Sequence, residues 1–187
     1  MTEEAIVREH VTDEAERQAV YDILVECDND FVPPLSYRAG TKQTDWTHKG
    51  ATHEGVRDYF DTVMQQHVLL WKRDGEVIAF MSFRPHEVTP HLEQYGSACY
   101  LSTLCVRHAC RGQGLSPKIY RAAQQWAREH GGEITVLRTW STNAAQMHIF
   151  PKRGWKAVCV KKNDRGEGID TVYFVHEKEE RPLPLQP

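Results

Sequence analysis

Along the chain, apolar residues fall at helical spacing in some stretches and at strand spacing in others, and this alternation lays out the elements. Ala5–Glu9 predicts a first strand. Asp13, with Glu16 three residues on, forms a capping pair ahead of a helix that carries Val20, Ile23, Leu24 and Cys27 on one face. From Asp28 to Gly50 the chain is polar, contains Pro33-Pro34 and has few periodic apolar positions. Loops of that length are uncommon in compact domains and are often functional. A second amphipathic helix presents Val56, Tyr59, Phe60 and Val63. Strands over His67–Lys72 and Glu76–Phe83 flank Asp74-Gly75, a strong hairpin signal. Ala98–Val106 predicts a further apolar strand. A helix from Pro117 to His130 follows, with Ile119, Ala122, Ala123 and Trp126 inward and Gly131-Gly132 as its stop. Glu133–Thr139 reads as a strand, Asn143–Lys152 as a short helix, and Trp155–Lys161 with Ile169–His176 as a closing hairpin.

The predicted order is β-α-α-β-β-β-α-β-α-β-β, an α/β domain around one mixed sheet. It occupies residues 1–180, and the proline-rich tail Arg181–Pro187 is expected to be disordered. A chain of 187 residues with 40% hydrophobic and 26% charged residues fits one globular domain. Its formal net charge of −3 gives no broad basic face for nucleic acid. The longest apolar runs, such as Val77–Met81, fall far short of the roughly 18 residues that span a bilayer. The acidic start Met1-Thr2-Glu3-Glu4 has no apolar export region, so a cytoplasmic location is expected. Cys27, Cys99, Cys105, Cys110 and Cys159 form no framework and no C-x2-C pair, and the histidines include no H-E-x-x-H. Reduced thiols and no metal are expected.

The chemistry concentrates in Tyr100-Leu-Ser-Thr-Leu-Cys-Val-Arg-His-Ala-Cys-Arg-Gly-Gln-Gly-Leu-Ser-Pro-Lys. A buried strand enters a turn with Gly112 and Gly114, and the turn opens into a helix. Glycines allow close backbone approach, and the N–H groups of the turn and first helical turn favour a phosphate. Arg111 adds positive charge. A P-loop would need Lys and Ser/Thr after the second glycine, and a dinucleotide fingerprint would need Gly or Ala at Pro117; neither is present. A glycine-rich turn that merely joins strand to helix is the plain alternative.

The run Arg111, Gly112, Gln113, Gly114, Leu115, Ser116 resembles the R-x-x-G-x-G/A coenzyme A loop of the GNAT superfamily of N-acetyltransferases, with Ser116 in place of the last Gly/Ala. Serine is a good helix N-cap, and Pro117 suits the first helical position. A second passage, Asn143-Ala-Ala-Gln-Met-His-Ile-Phe-Pro-Lys-Arg-Gly-Trp, is similar to that family's N-x-x-A-x-x-L-Y-x-K-x-G-F segment. Gln146 and Pro151 depart from it, and Phe150 stands where a tyrosine often protonates the leaving thiolate. The resemblance covers about residues 5–177. It implies a GNAT-like fold, a mostly antiparallel central sheet flanked by about four helices. It also implies acetyl-CoA as co-substrate and an amine acceptor that is a small molecule or a peptide. Asn143 would bind the pantetheine arm, and the backbone of Leu104, Cys105 and Val106 would pair with pantetheine beside a splay in the sheet. A strand bulge near Leu104–Val106 would stabilise the oxyanion. Dimers are common in the family, so a homodimer is compatible.

The proton-transfer groups are less defined. Tyr100 and Ser102 share a strand face by period two and are candidate catalytic residues, while Glu87 and Glu93 lie in the preceding loop. His108 and His148 read as surface histidines. In the long loop, Asp28, Asp30 and Asp45 with Phe31, Tyr37 and Trp46 suit a cationic amine. The expected reaction is direct amine attack on the thioester, with Cys105 as packing. A non-catalytic coenzyme A-binding module, or a transferase of longer acyl groups, is the alternative.

Overall fold

A computed structural model describes residues 1–46 and 55–177. The strands are β1 (Glu3–Arg8), β2 (His67–Arg73), β3 (Glu76–Val88), β4 (Ser97–Val106), β5 (Ile134–Trp140), β6 (Lys156–Lys161) and β7 (Thr171–Glu177). The helices are α1 (Glu14–Cys27), α2 (Arg57–Val63), α3 (Leu115–Glu129) and α4 (Ala144–Ile149). The strands form one seven-stranded sheet in the order β1-β2-β3-β4-β5-β7-β6. Every neighbouring pair is antiparallel except β4 with β5. The tail expected to be disordered lies outside the described residues.

Period two decides which side of the sheet each helix covers. Val68, Leu70, Phe80 and Cys105 point to one face, where α1 and α2 lay Val20, Ile23, Leu24, Tyr59, Phe60 and Val63 over them. Leu69, Met81, Phe83, Leu101 and Leu137 point to the other, under Leu115, Ile119, Ala123 and Ala127 of α3. The alternation breaks once within β4. Ser82 faces Thr103 and Phe83 faces Leu101, so Ser102 is an extra residue with no opposite number. This bulge lets Leu101 face α3 while Thr103 and Cys105 face α1 and α2. It lies two residues before the position expected from the sequence.

Local chemistry accounts for the boundaries. Asp74 and Gly75 take φ of 50° and 87°, the paired left-handed turn that a two-residue hairpin needs. Helix α3 begins earlier than expected: Gly114, at φ 72°, is its N-cap and Leu115 its first residue. Ser116 and Pro117 therefore sit inside the first turn, where a missing proline N–H still loses no helical bond. Pro151 ends α4 after Ile149, and a 3-10 turn over Pro151–Arg153 replaces the expected last turn.

The capping pair on α1 is half realised. Asp13 Oδ1 accepts the Glu16 N–H at 2.8 Å, but the Glu16 carboxylate turns away to Arg8 of β1 and Lys72 of β2, both at 2.9 Å. Glu16 is 6% exposed, so it is the desolvated hub of a three-element ion network. The Arg8 guanidinium, against the cost of burial and aided by the Lys72 ammonium, holds this carboxyl at about 2, below its ordinary 4.5. A depressed carboxyl stabilises the fold above its unfolded value and loses that contribution as pH falls towards the folded one. Glu16→Gln is expected to cost about 2 kcal/mol at pH 7. In urea unfolding, the gap to the wild type should narrow as the pH is lowered from 4.5 towards 2. A gap independent of pH would show that the network is not electrostatic.

Candidate active site

The site is where β4 and β5 stop pairing. Their parallel ladder holds only from Cys99↔Thr135 to Leu101↔Leu137. Beyond it the strands part around a cavity of about 490 Å³. The walls come from both faces of the sheet: Cys27, Asp30 and Phe31 from the α1 side, and Leu115, Tyr120, Asn143 and Phe150 from the α3–α4 side. The Arg107 N–H donates to Ile78 O at 3.0 Å on the β3 side. By alternation, the N–H and C=O groups of Leu104 and Val106 face the open edge. Val106 O indeed accepts from Arg111 Nε at 3.1 Å there. An extended amide chain entering the cavity meets backbone partners as an added strand would.

The glycine turn closes one end. Gly112 and Gly114 hold φ of 73° and 72°, and no heavy atom lies within 4 Å of a Cβ built on either. Gly114 gives α3 no side-chain cap, so the first-turn N–H groups carry the helix dipole outward without an internal acceptor. Gly112, Gly114, Leu115 and Ser116 all line the cavity, whereas Gln113 is exposed and off it. Arg111 is spent internally. Besides Val106 O, its guanidinium bonds Asp30 Oδ2 at 2.5 Å and Cys27 Sγ at 3.3 Å. Asp30 also meets His108 Nε2 at 3.0 Å, and Arg111 foremost holds its carboxyl below the ordinary value. Arg111 thus pins the turn to the end of α1. Cys27, Asp30 and His108 bring ligand-type atoms within 4.8 Å of one another, and Arg111 already bonds two of the three.

Across the cavity, Asn143 caps α4: its Oδ1 accepts the Gln146 N–H at 3.4 Å and its Nδ2 donates to Thr139 Oγ1 at 3.1 Å. Phe150 is 1% exposed, with ring centroids of Phe174, Tyr120 and Trp155 at 5.0, 5.4 and 5.5 Å. Phe150 has no proton to give, but Tyr120 brings a phenol to the same cavity. Burial pushes that phenol above its ordinary value, against a hydrogen bond with Gln146. The sequence reading passed over Tyr120. Its signal was the helical step from Ser116, which places both on one stripe of α3.

The other sequence candidates separate. Ser102 lines the cavity, but its hydroxyl accepts from Arg84 Nη1 at 2.8 Å and donates to Gln66 Oε1 at 2.7 Å. Tyr100 shares that face, with Arg84 4.5 Å from its ring centroid, yet it is buried off the cavity among Val136, Tyr173 and Val175. Burial raises its pKa, which makes its phenolate harder to form. Glu87 lies in β3 rather than in a loop, paired with Arg84 and with Lys42 at 3.5 Å. Glu93 is exposed and accepts the His91 N–H. His148 faces Lys152. Among the described residues, Asp30 is the one carboxylate lining the cavity. Burial pushes the Cys105 thiol well up, so it stays protonated in the core.

The segment after α1 reverses the expected charge. Asp28 is consumed by Ser36, whose N–H and Oγ both reach it at 2.8 Å. Phe31 and Trp46 stack on the protein's own guanidiniums rather than standing open to a cation. Leu35 is fully buried, so this polar-looking stretch is packed rather than solvated.

A parallel pair that opens onto a glycine turn and a helix N-terminus, within a mixed sheet carrying helices on both faces, defines an α/β domain with one open cleft in its sheet. The family model described as Acetyltransferase (GNAT) family matches residues 17–155, and the chain belongs to that family of acyltransferases. Similar solved structures include an N-acetyltransferase from Staphylococcus aureus Mu50, at 16% identity over 93% of this chain and 98% of that one, TM-score 0.64. The yncA protein of Salmonella typhimurium, solved with its cofactor acetyl-CoA, matches at 18% identity over 97% and 98%, TM-score 0.61. The ribosomal-protein-S18-alanine N-acetyltransferase of Escherichia coli matches at 15% identity over 98% and 100%, TM-score 0.59. At these identities the likeness carries the fold. No curated protein sequence matches significantly. Among the described residues, no helix is long and apolar enough to cross a membrane.

Proposed function

We propose that this enzyme transfers an acetyl group from acetyl-CoA to an amine by direct attack. The observation that carries the reading is the open edge of β4 running straight into the Gly112–Gly114 turn. The turn and the first N–H groups of α3 would take the pyrophosphate, and Leu104, Val106 and Asn143 the pantetheine amides. Acetyl-CoA supplies an activated acyl group. Backbone N–H groups on the open edge of β4 would stabilise negative charge developing on the thioester oxygen. Tyr120 is the cavity phenol able to return a proton to a departing thiolate, in the place Phe150 cannot fill. Cys105 is buried in the core, which leaves it a packing role in a direct transfer. Five free cysteines fit a reducing, cytosolic setting.

The absence of a tyrosine at Phe150 favours one second reading, a module that binds coenzyme A without turnover. Thiol release from acetyl-CoA, measured across a panel of amines, separates the two. Turnover with at least one amine is expected. Coenzyme A at about 100 times its dissociation constant should add roughly 2.7 kcal/mol of stability. A melting shift with no turnover anywhere in the panel would establish the binding module.

A further inference from the structure

We propose that the acceptor is an amine that also carries an oxyanion, a carboxylate or a phosphate, and that Arg138 with Arg38 receives it on the α1–α2 face of the sheet opening. The proposal names the substrate class of the acetyl transfer above and rests on that reading.

Three guanidiniums converge on one indole. Arg165, Arg38 and Arg138 lie 4.5, 5.0 and 5.2 Å from the Trp46 ring centroid. Arg38 is 6% exposed and Arg165 8%. Their hydrogen bonds go to neutral oxygens: Arg38 Nε to Pro33 O at 2.9 Å, Arg138 Nη2 to Thr41 O at 3.2 Å and to Gln43 O, Arg165 Nη1 to Val32 O at 2.7 Å and its Nε to Thr171 Oγ1 at 3.0 Å. Among the described residues, none of the three has a carboxylate in ion-pairing range. Asp164, the acid next to them, is occupied by Lys161 at 2.7 Å, by Trp46 Nε1 at 3.0 Å and by Thr171 at 2.6 Å. Arg38 Nη2 is buried with no hydrogen-bond partner.

Desolvated like charges without a counter-ion are a net cost that apolar side chains of similar volume would avoid. Burial foremost, then Arg38 and Arg138, pulls Arg165 down to about 9. With no ion-paired carboxylate among the described residues, such a cluster fits a fold that meets negative charge in a ligand, and the planar guanidinium fork matches a carboxylate or phosphate. Placement ties the cluster to the reaction. Arg138 follows Leu137, the last β5 residue paired with β4, and it stands in the cavity wall beside Thr139 and Trp140. Arg38 packs over Tyr59 of α2 at 5.9 Å, and the Tyr59 hydroxyl bonds Thr103 of β4 at 2.7 Å. An acceptor anchored there by its anionic end presents its amine at the opening, across the sheet from the glycine turn.

The test offers acceptors in matched pairs with acetyl-CoA: L-alanine against L-alaninamide, and phosphoethanolamine against ethanolamine. The oxyanion-bearing member of at least one pair should lead by about tenfold or more in kcat/KM. The pair that responds identifies carboxylate or phosphate. Arg138→Gln should erase the preference through the acceptor KM, leaving the melting shift given by coenzyme A. Arg138→Lys, which keeps the charge and loses the fork, should fall between, and it replaces the Gln variant if that variant does not fold. A second readout is the melting shift that each acceptor adds to the coenzyme A-bound protein. An oxyanion-dependent shift without turnover would sink the transfer reading and leave the anion site standing. Equal or better use and binding of the neutral members, or a preference that survives both substitutions, would overturn the proposal.

Discussion

Gly114→Val is expected to abolish the thermal stabilisation that coenzyme A gives the wild-type protein. The reason is conformational. Gly114 sits at φ 72°, and no atom of the protein crowds a Cβ at that site. A β-branched residue resists the left-handed region, at a cost on the order of 1–3 kcal/mol. It also puts its methyl groups where a phosphate must approach the first turn of α3. The variant should fold with a lowered melting temperature, because the core under α3 is untouched, yet its dissociation constant for coenzyme A should rise at least about a hundredfold, ~3 kcal/mol. Differential scanning fluorimetry with and without coenzyme A reads both effects. An undiminished ligand shift would remove the phosphate-cradle assignment of the turn.

Phe150 gives the second large effect, and it divides by substitution. Phe150→Ala empties a site that is 1% exposed and ringed by Tyr120, Trp155 and Phe174. Losses of this kind cost about 3–5 kcal/mol. Turnover should fall with it, since the same ring forms the cavity wall beside α4. Phe150→Tyr keeps the ring and adds a phenol, and kcat should hold or rise. If the Tyr variant folds and does not turn over, position 150 does not face the departing sulfur. Chemical denaturation and steady-state kinetics on both variants, with one accepted amine, settle the matter.

The parts legible in the sequence were those written in short-range pattern. Val20, Ile23, Leu24 and Cys27 announced α1, and Asp74-Gly75 announced the β2–β3 turn. Gly112 and Gly114 marked the turn before α3 because their backbone requirement is local. Contacts between distant segments were not legible. Asp30 looked free to meet a cation, and only the fold reveals that Arg111 and His108 already hold it. Nothing in the separate sequence neighbourhoods of Arg38, Arg138 and Arg165 says that one indole gathers all three. The start of α3 was misplaced because Ser116 and Pro117 carry strong start signals, while Gly114 caps through its backbone alone.

The extra residue in β4 has a consequence for how such a chain tolerates change. Gains and losses of single residues are usually absorbed in loops, where they move little. Ser102 lies in the middle of a strand, one residue past the last pair with β5, yet its bulge is what hands the second half of β4 from one helical layer to the other. Pair Ser102 regularly instead of bulging it out, and Thr103 and Cys105 exchange faces with Leu104 and Val106, so hydroxyl and thiol meet the wrong core. The same shift turns the amides of Leu104 and Val106 inward to β3 and offers those of their neighbours to the cavity. The bulge at this point sets which atoms the enzyme shows to its substrate.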